Sequence, residues 1–388
     1  MPFAVRHEAE HVKLRHTLAA AAAASLTALG VPPAWASTPA WRAVPVPVGP
    51  AALNDVSALG PSSAWAVGLD LLNDPIVLHW NGAAWSFART TGLPTGGGLV
   101  GVDARSDRDI LVDGVDPATL YDVVYRFNGS RWTRIPRPRG TDPGDASFSA
   151  FFGPGGQVWA TASIRGRLAF FRLTATGWRT YRTGVPGGSI IVYPVFLTRD
   201  DAWAAGSSWD VPSQEDRPWL LHFNGKGWSR VAFPPLPRAA LSTTPTGLVA
   251  VRVGHRDRLW LSGNFQPCSP INGYCASSPF VVSGSGTSWT RERLPARVTA
   301  VSGLSPGRSG LPQWMVATTS DYESSYYLRY TSGAWALVRG VTIARHETPT
   351  MFIAHIPGTD STWAVGGDQC GPTPISICPR IELNGTLR

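Results

Sequence analysis

Residues 55–68 read DVSALGPSSAWAVG, and residues 76–88 read IVLHWNGAAWSFA. In order they spell an apolar strand, a short polar turn, a Trp-led strand, a variable loop, a third strand, an Asn-Gly turn and a second Trp-led strand. The same order returns in YPVFLTRDDAWAAG at 193–206 and WLLHFNGKGWSRV at 219–231. Four short strands per repeating unit is the pattern of a propeller blade. The Asn-Gly pairs at 81–82, 128–129 and 224–225 have a chemical reason, because a tight hairpin between twisted strands needs positive φ. The Trp that follows each turn opens the outermost strand, where its ring covers the junction with the neighbouring blade.

Following that outer Trp along the chain gives Trp85, Trp132, Trp178, Trp228, Trp289 and Trp335, at spacings of 47, 46, 50, 61 and 46 residues. The long interval holds the segment from Cys268 to Cys275, which reads as an insertion. A second column opens the second strand of each unit: Trp65, Ile110, Trp159, Trp203, Trp260, Trp314 and Trp363. That column has seven members and the outer one six, because the last unit reaches Asn384-Gly385 with no Trp strand to follow. The missing strand is at the other end, where Trp41-Arg42-Ala43-Val44-Pro45 resembles Trp132-Thr133-Arg134-Ile135-Pro136. The expected fold is therefore an all-β, seven-bladed β-propeller with four antiparallel strands per blade, closed by the N-terminal strand completing the last blade. Such closure removes the open strand edge that a stack of sheets would expose.

Composition fits this reading. Of 388 residues 43% are hydrophobic and 15% charged, and 41 Gly, 34 Pro and 17 Trp favour many short strands joined by tight turns. Arg6, Lys13 and Arg15 precede an Ala/Leu-rich run from Thr17 to Val31, and Ala34-Trp35-Ala36 supplies a small-x-small cleavage pattern. Residues 1–36 are thus expected to be a signal peptide and 37–388 a single propeller domain, exported and extracellular. The apolar run is shorter than a spanning helix needs and is interrupted by Pro32-Pro33, so no stable membrane insertion is expected. The formal charge of +8 is almost all arginine and forms no dense cluster, which argues against a nucleic-acid partner. Four cysteines fall in two close pairs, Cys268 with Cys275 and Cys370 with Cys378, each expected to clip its own loop as a disulfide.

The combination Ala64-Trp65-Ala66-Val67-Gly68 followed by Asn81-Gly82-x-x-Trp85 resembles secreted actinobacterial propellers with kelch-like or Asp-box-like repeats, among them sialidase-type and galactose-oxidase-type propellers. The resemblance spans Trp41 to the end and implies the fold. It implies no catalytic residues, because the Asp of an Asp-box is replaced by Asn or missing, as at Ser332-Gly333, and the kelch double glycine occurs only as Gly366-Gly367.

A search for chemistry finds little that is specific. Tyr322-Glu323 and Tyr326-Tyr327 share the sixth blade, but neighbours on a strand point to opposite faces. His79 and His222 occupy a position that is polar in every unit (Arg126, Arg172, Ser283, Arg329 and Glu382 elsewhere). That column reads as structural, facing solvent or a blade junction, so no metal and no cofactor are expected. The loops between second and third strands carry Asp70, Asp74, Asp113, Asp116, Asp122, Asp210, Glu215, Asp216, Asp321, Glu323 and Asp368 against three arginines. The inter-blade connections carry Arg137, Arg139, Arg238, Arg297 and Arg345. This pattern reads either as ordinary loop polarity or as an acidic outer rim around a basic inner ring. The candidate binding residues are Arg137, Arg139, Arg238, Arg297, Trp209, Tyr274 and Tyr322; Trp219, on the same rim, is as easily core. The expected function is a monomeric, non-catalytic binding propeller recognising a glycan or an extracellular protein through these loops. The alternative is a sialidase-like hydrolase or lyase with degenerate motifs.

Overall fold

The computed structural model describes residues 40–47, 49, 51–142, 148–187, 189–210, 215–236, 242–266, 277–320, 324–342, 350–369 and 377–387. These form seven four-stranded antiparallel sheets. Six blades are continuous in sequence, at 51–87, 99–135, 149–186, 189–231, 242–291 and 298–342. The seventh takes three strands from 350–384 and its outer strand from Trp41–Ala43. That strand pairs Trp41 with Asn384, Arg42 with Leu383 and Ala43 with Glu382, so the expected closure is what the chain does.

Every outer-column Trp lies on the fourth strand of its blade, and every second-column residue on the second strand. The buried apolar residues form seven clusters among the described residues, and each cluster joins two neighbouring blades. Burying roughly one Trp or Phe side chain at a junction is worth about 1.5–3 kcal/mol, and each cluster holds several. Some outer Trps also donate back to the preceding connection. Trp132 Nε1 reaches Arg89 O at 2.7 Å and Trp178 Nε1 reaches Pro136 O at 3.0 Å, each on the connection that precedes its blade.

The Asn-Gly turns divide their labour differently from the expectation. Only the glycine takes positive φ, at 92° in Gly82 and Gly129 and 83° in Gly225. The asparagine contributes its side chain instead: Asn81 Oδ1 accepts from the amides of Ala83 and Ala84, and Asn128 and Asn224 repeat the pattern. In blade 6, where Asn is missing, Ser332 and Gly333 both adopt positive φ, at 52° and 83°.

The polar third-strand column is structural at its histidines. His79 stacks on Trp65 at 4.4 Å and lies 3.3 Å from Asp107 of the next blade, which also accepts from Trp65 Nε1 at 3.1 Å. His222 stacks on Trp203 in the same way and contacts Asp201 at 2.9 Å, while Trp203 Nε1 donates to Asp257 of the next blade. Among the described residues no helix is long and apolar enough to cross a membrane.

Candidate functional site

Antiparallel order assigns the loops to faces. Loops between second and third strands share one rim, here the upper face, with the connections between blades; the remaining turns form the lower face. The sequence-derived candidates on the upper face divide by what they touch. Arg137 is half-buried and spent on its own surroundings: its guanidinium donates to Asp142 O at 2.7 Å and Asp122 O at 3.1 Å and stacks over Phe148 at 4.8 Å. Arg139 is exposed on the same connection. Arg297 is exposed beside the ring of Tyr326, 5.9 Å away. Trp209, at the upper end of the second strand of blade 4, keeps 47% of its surface open, next to the Asp210–Arg217 ion pair. Trp219 is core, packed between blades 3 and 4. Arg238, Tyr274, Tyr322, Arg345, Cys268, Cys275 and Cys370 lie outside the described residues, as do residues 1–36. Cys378 lies on the third strand of blade 7, paired with Asp368.

The acids of the upper loops are largely consumed locally. Asp70 accepts the amides of Leu72 and Asp74, Asp74 that of Gly96, Asp116 that of Ala118, and Asp122 that of Phe148. Asp70, Asp122, Asp210, Glu215, Asp216 and Asp368 lie at or near strand ends, and one member of the set lies further inside a strand. Asp113 sits on the second strand of blade 2 (Asp109–Val115) and is buried, with 6% of its surface exposed.

The repeat explains why Asp113 is exceptional. Three residues after the second-strand column stand Gly68, Asp113, Ala162, Gly206, Gly263, Ala317 and Gly366. Six of the seven are small, because this position lies under the first strand. A β-carbon on Gly68 would come 1.8 Å from Ala52 O, and one on Gly263 2.5 Å from Thr244 O. In blade 2 the crowding is exchanged. The first strand (Leu99–Ser106) carries Gly101 directly opposite Asp113, with a register shift between Leu99 and Gly101. A β-carbon on Gly101 would lie 2.5 Å from both Asp113 Oδ2 and the Tyr193 hydroxyl. The missing side chain therefore opens a path for the carboxylate toward the centre of the ring.

First strands of neighbouring blades contact one another around the ring, so they wall its axis. On that wall Asp113 Oδ2 accepts from Ser149 Oγ of blade 3 at 3.0 Å and from Tyr193 OH of blade 4 at 3.1 Å. Asp55 Oδ2 accepts the Val102 amide, and Asp103 Oδ2 the Phe152 amide, each bond passing from one blade to the next. Tyr193 is closely surrounded but keeps 42% of its surface open, as a side chain does when it stands in a wet channel.

The electrostatics follow from this crowding. Burial pushes the Asp55 carboxyl up to about 7, against the amide bonds that favour its anion, and Asp113 and Asp103 add to the rise. Burial likewise pushes Asp103 to about 6 and Asp113 to about 6. Among the described residues no cation contributes to any of the three. The Tyr193 hydroxyl is pushed well up by burial and by Asp113 and Asp55, so it acts as a donor and not as a base. Such a group can exchange hydrogen bonds with ligand hydroxyls, or bind a positive group and release protons.

A possible metal-ligand set elsewhere is already served. Asp201, His222 and Asp257 bring ligand atoms within 4.8 Å of one another, but Arg252 bridges both carboxylates and supplies the positive charge.

The sequence matches no family model and no curated protein. Among solved structures, YCF48 from Cyanidioschyzon merolae is 14% identical with a TM-score of 0.53, covering 89% of this chain and 99% of its own. A structure of YCF48 bound to D1 peptide is 12% identical with a TM-score of 0.55, covering 90% and 100%. The polysaccharide lyase Uly1 is 9% identical with a TM-score of 0.56, covering 88% and 91%. At these identities the likeness is one of fold.

Proposed function

We propose that the protein is an extracellular, non-catalytic binding propeller that takes a glycan or a protein partner at its upper face, with the wall around Asp113 as the anchor. The observation that carries this is the exchange of Gly101 for a small residue at 113, made in one blade of seven. It places an uncompensated carboxyl against Tyr193 and Ser149 at the axis. Hydroxyls of a sugar, or an amine or guanidinium of a peptide, would satisfy those carboxyls, and the half-open Tyr193 ring offers a face for either. Propellers of similar fold, one bound to a peptide and one a polysaccharide lyase, are consistent with both ligand classes.

Binding is favoured over catalysis because the tyrosine is held protonated, and among the described residues no cation stands by to activate it as a nucleophile. Export through residues 1–36, cleavage before Ser37, a monomeric state and clipped loops at Cys268–Cys275 and Cys370–Cys378 complete the reading. The kelch-like repeat type belongs with it. The test is a panel of oligosaccharides and Lys/Arg-bearing peptides, titrated against the protein and against Asp113→Asn. Hits should weaken at least about tenfold in the variant, as loss of a charge-assisted bond implies. Glycan cleavage by the parent protein that disappears in Asp113→Asn would overturn the non-catalytic assignment.

A further inference from the structure

The lower face carries a second site, independent of the upper one. Where blades 5, 6 and 7 meet, a cavity of about 660 Å³ opens among their turns. Its walls present two arginines, two aromatic rings, an amide and a carboxylate: Arg258, Arg308, Trp260, Tyr330, Gln313 and Asp360.

The two arginines are free for a ligand. Arg308 is exposed at the tip of the turn between Pro306 and Pro312, and among the described residues it has no ion-pair or hydrogen-bond partner. Arg258 also has no ion-pair partner among them; its guanidinium lies over the Trp260 ring at 4.7 Å. Stacking holds that fork in one plane before any ligand arrives, the arrangement suited to a carboxylate. Trp260 itself is anchored from behind, donating through Nε1 to Glu292 at 3.0 Å, and Tyr330 meets its ring edge-on at 6.4 Å.

Gln313 ties this turn to blade 7: its Nε2 donates to Asp360 O at 3.2 Å, while its Oε1 is closed off from the cavity. Gly307 keeps the turn close against it: a β-carbon there would lie 3.1 Å from the Gln313 side chain. The turn is closed by Gly307 N to Leu311 O at 2.8 Å, which fixes the base from which Arg308 projects.

We infer that this cavity binds a uronate-type sugar residue: a carboxylate for the two exposed arginines, and hydroxyls for the exposed Asp360 carboxylate. Neutral sugars offer hydroxyls to Asp360 but no charge to the arginines, and inorganic phosphate offers charge without a sugar's spread of hydroxyls. The volume suits about one or two sugar rings.

The experiment is calorimetric titration of the protein with digalacturonate, neutral galactose disaccharide and inorganic phosphate. The expected result is saturable binding of digalacturonate, at least about tenfold tighter than either of the other two. Arg308→Ala should weaken it about tenfold or more at an unchanged melting temperature, because Arg308 holds nothing else in place. Arg131→Ala, which removes an exposed arginine from a lower-face turn of blade 2, should leave all three titrations unchanged, which separates this cavity from general surface charge. Absence of saturable digalacturonate binding, equal affinity for phosphate, or an unaffected Arg308→Ala would each overturn the inference.

Discussion

Glu382 and Asp113 are both buried carboxylates on blade strands, with 0% and 6% of their surfaces exposed, and their surroundings are opposite. Glu382 faces the junction where the ring closes. Its two oxygens accept from Ser325 Oγ at 2.6 Å, Tyr327 OH at 3.0 Å, Arg380 Nε at 2.5 Å and the Val341 amide at 3.3 Å. Over the same tyrosine lies Trp41, stacked at 3.7 Å and met edge-on by Trp314 at 5.2 Å. Asp113 accepts from two hydroxyls and, at 3.5 Å, from the Ala150 amide, with no cation among the described residues, and two further carboxyls stand nearby on the channel wall. One cluster balances its charge with a cation, whereas the other has only neutral donors. A paired buried charge specifies structure; carboxyls without a counter-charge at an accessible axis cost stability when ionised and are candidates for function.

The largest test of this contrast falls on the closed junction. Glu382→Ala would take the carboxylate from half-buried Arg380, Ser325 and Tyr327, and Trp41→Ala would empty the space beside Tyr327. Each should lower unfolding free energy by about 3–5 kcal/mol in urea titrations. A cost below about 1 kcal/mol for both would mean that closure contributes little.

Asp113→Asn should act in the opposite sense. Asp55, Asp103 and Asp113 hold their protons more tightly folded than unfolded, where the ordinary value is 3.8. The stability they carry is therefore whole below about pH 4 and lost as pH rises through 6 to 7. At pH 8 the variant should be about 1–3 kcal/mol more stable than the parent, with the gain gone by pH 4. Asp107 and Asp109 have the reverse sign, since Ser63 and Arg126, among other partners, hold them below the ordinary value despite some burial. Thermal melts across pH should thus show the parent losing stability on both sides of a mildly acidic optimum. A parent flat from pH 4 to 8 would break the comparison.

Tyr193→Phe makes the smallest change. It removes one donor from Asp113 and should cost about 0.5–1.5 kcal/mol at pH 8, and less at pH 5, where the acid is protonated. A variant more stable than the parent at pH 8 would mean that this bond is not formed.

How far these features could be read in advance depends on how often each is repeated. The two Trp columns recur in nearly every blade because the same junction is built seven times, so spacing alone revealed the blades and placed Trp41 in the last of them. Arg137 could not be separated from Arg139 in this way, since only contacts with Asp122, Asp142 and Phe148 distinguish an occupied guanidinium from an open one. Asp113 was visible in principle. Aligned on Trp65 and its equivalents, it is the one large residue in a column of glycine and alanine, and Gly101 opposite is its counterpart. Counted with the loop acids, it lost that context. The lower cavity had no such signal, because Arg258, Gln313 and Asp360 come from three blades and no repeat position links them.

Pairing Trp41–Ala43 with Ile377–Asn384 also has a consequence in time. A ribosome delivers the first of these strands about 340 residues before the last, or about 20–70 s earlier at ordinary elongation rates. Through that interval the seventh sheet does not exist, and the waiting strand has no native partner. Blades one to six can form in order of synthesis, but the two ends meet only when the sixth has brought them side by side. The final pairing then closes a short gap and not a long loop, so its entropic cost has already been met by the blades between. Maturation is thus recorded in a single event, and a stalled or truncated chain is marked by an open edge at blade seven.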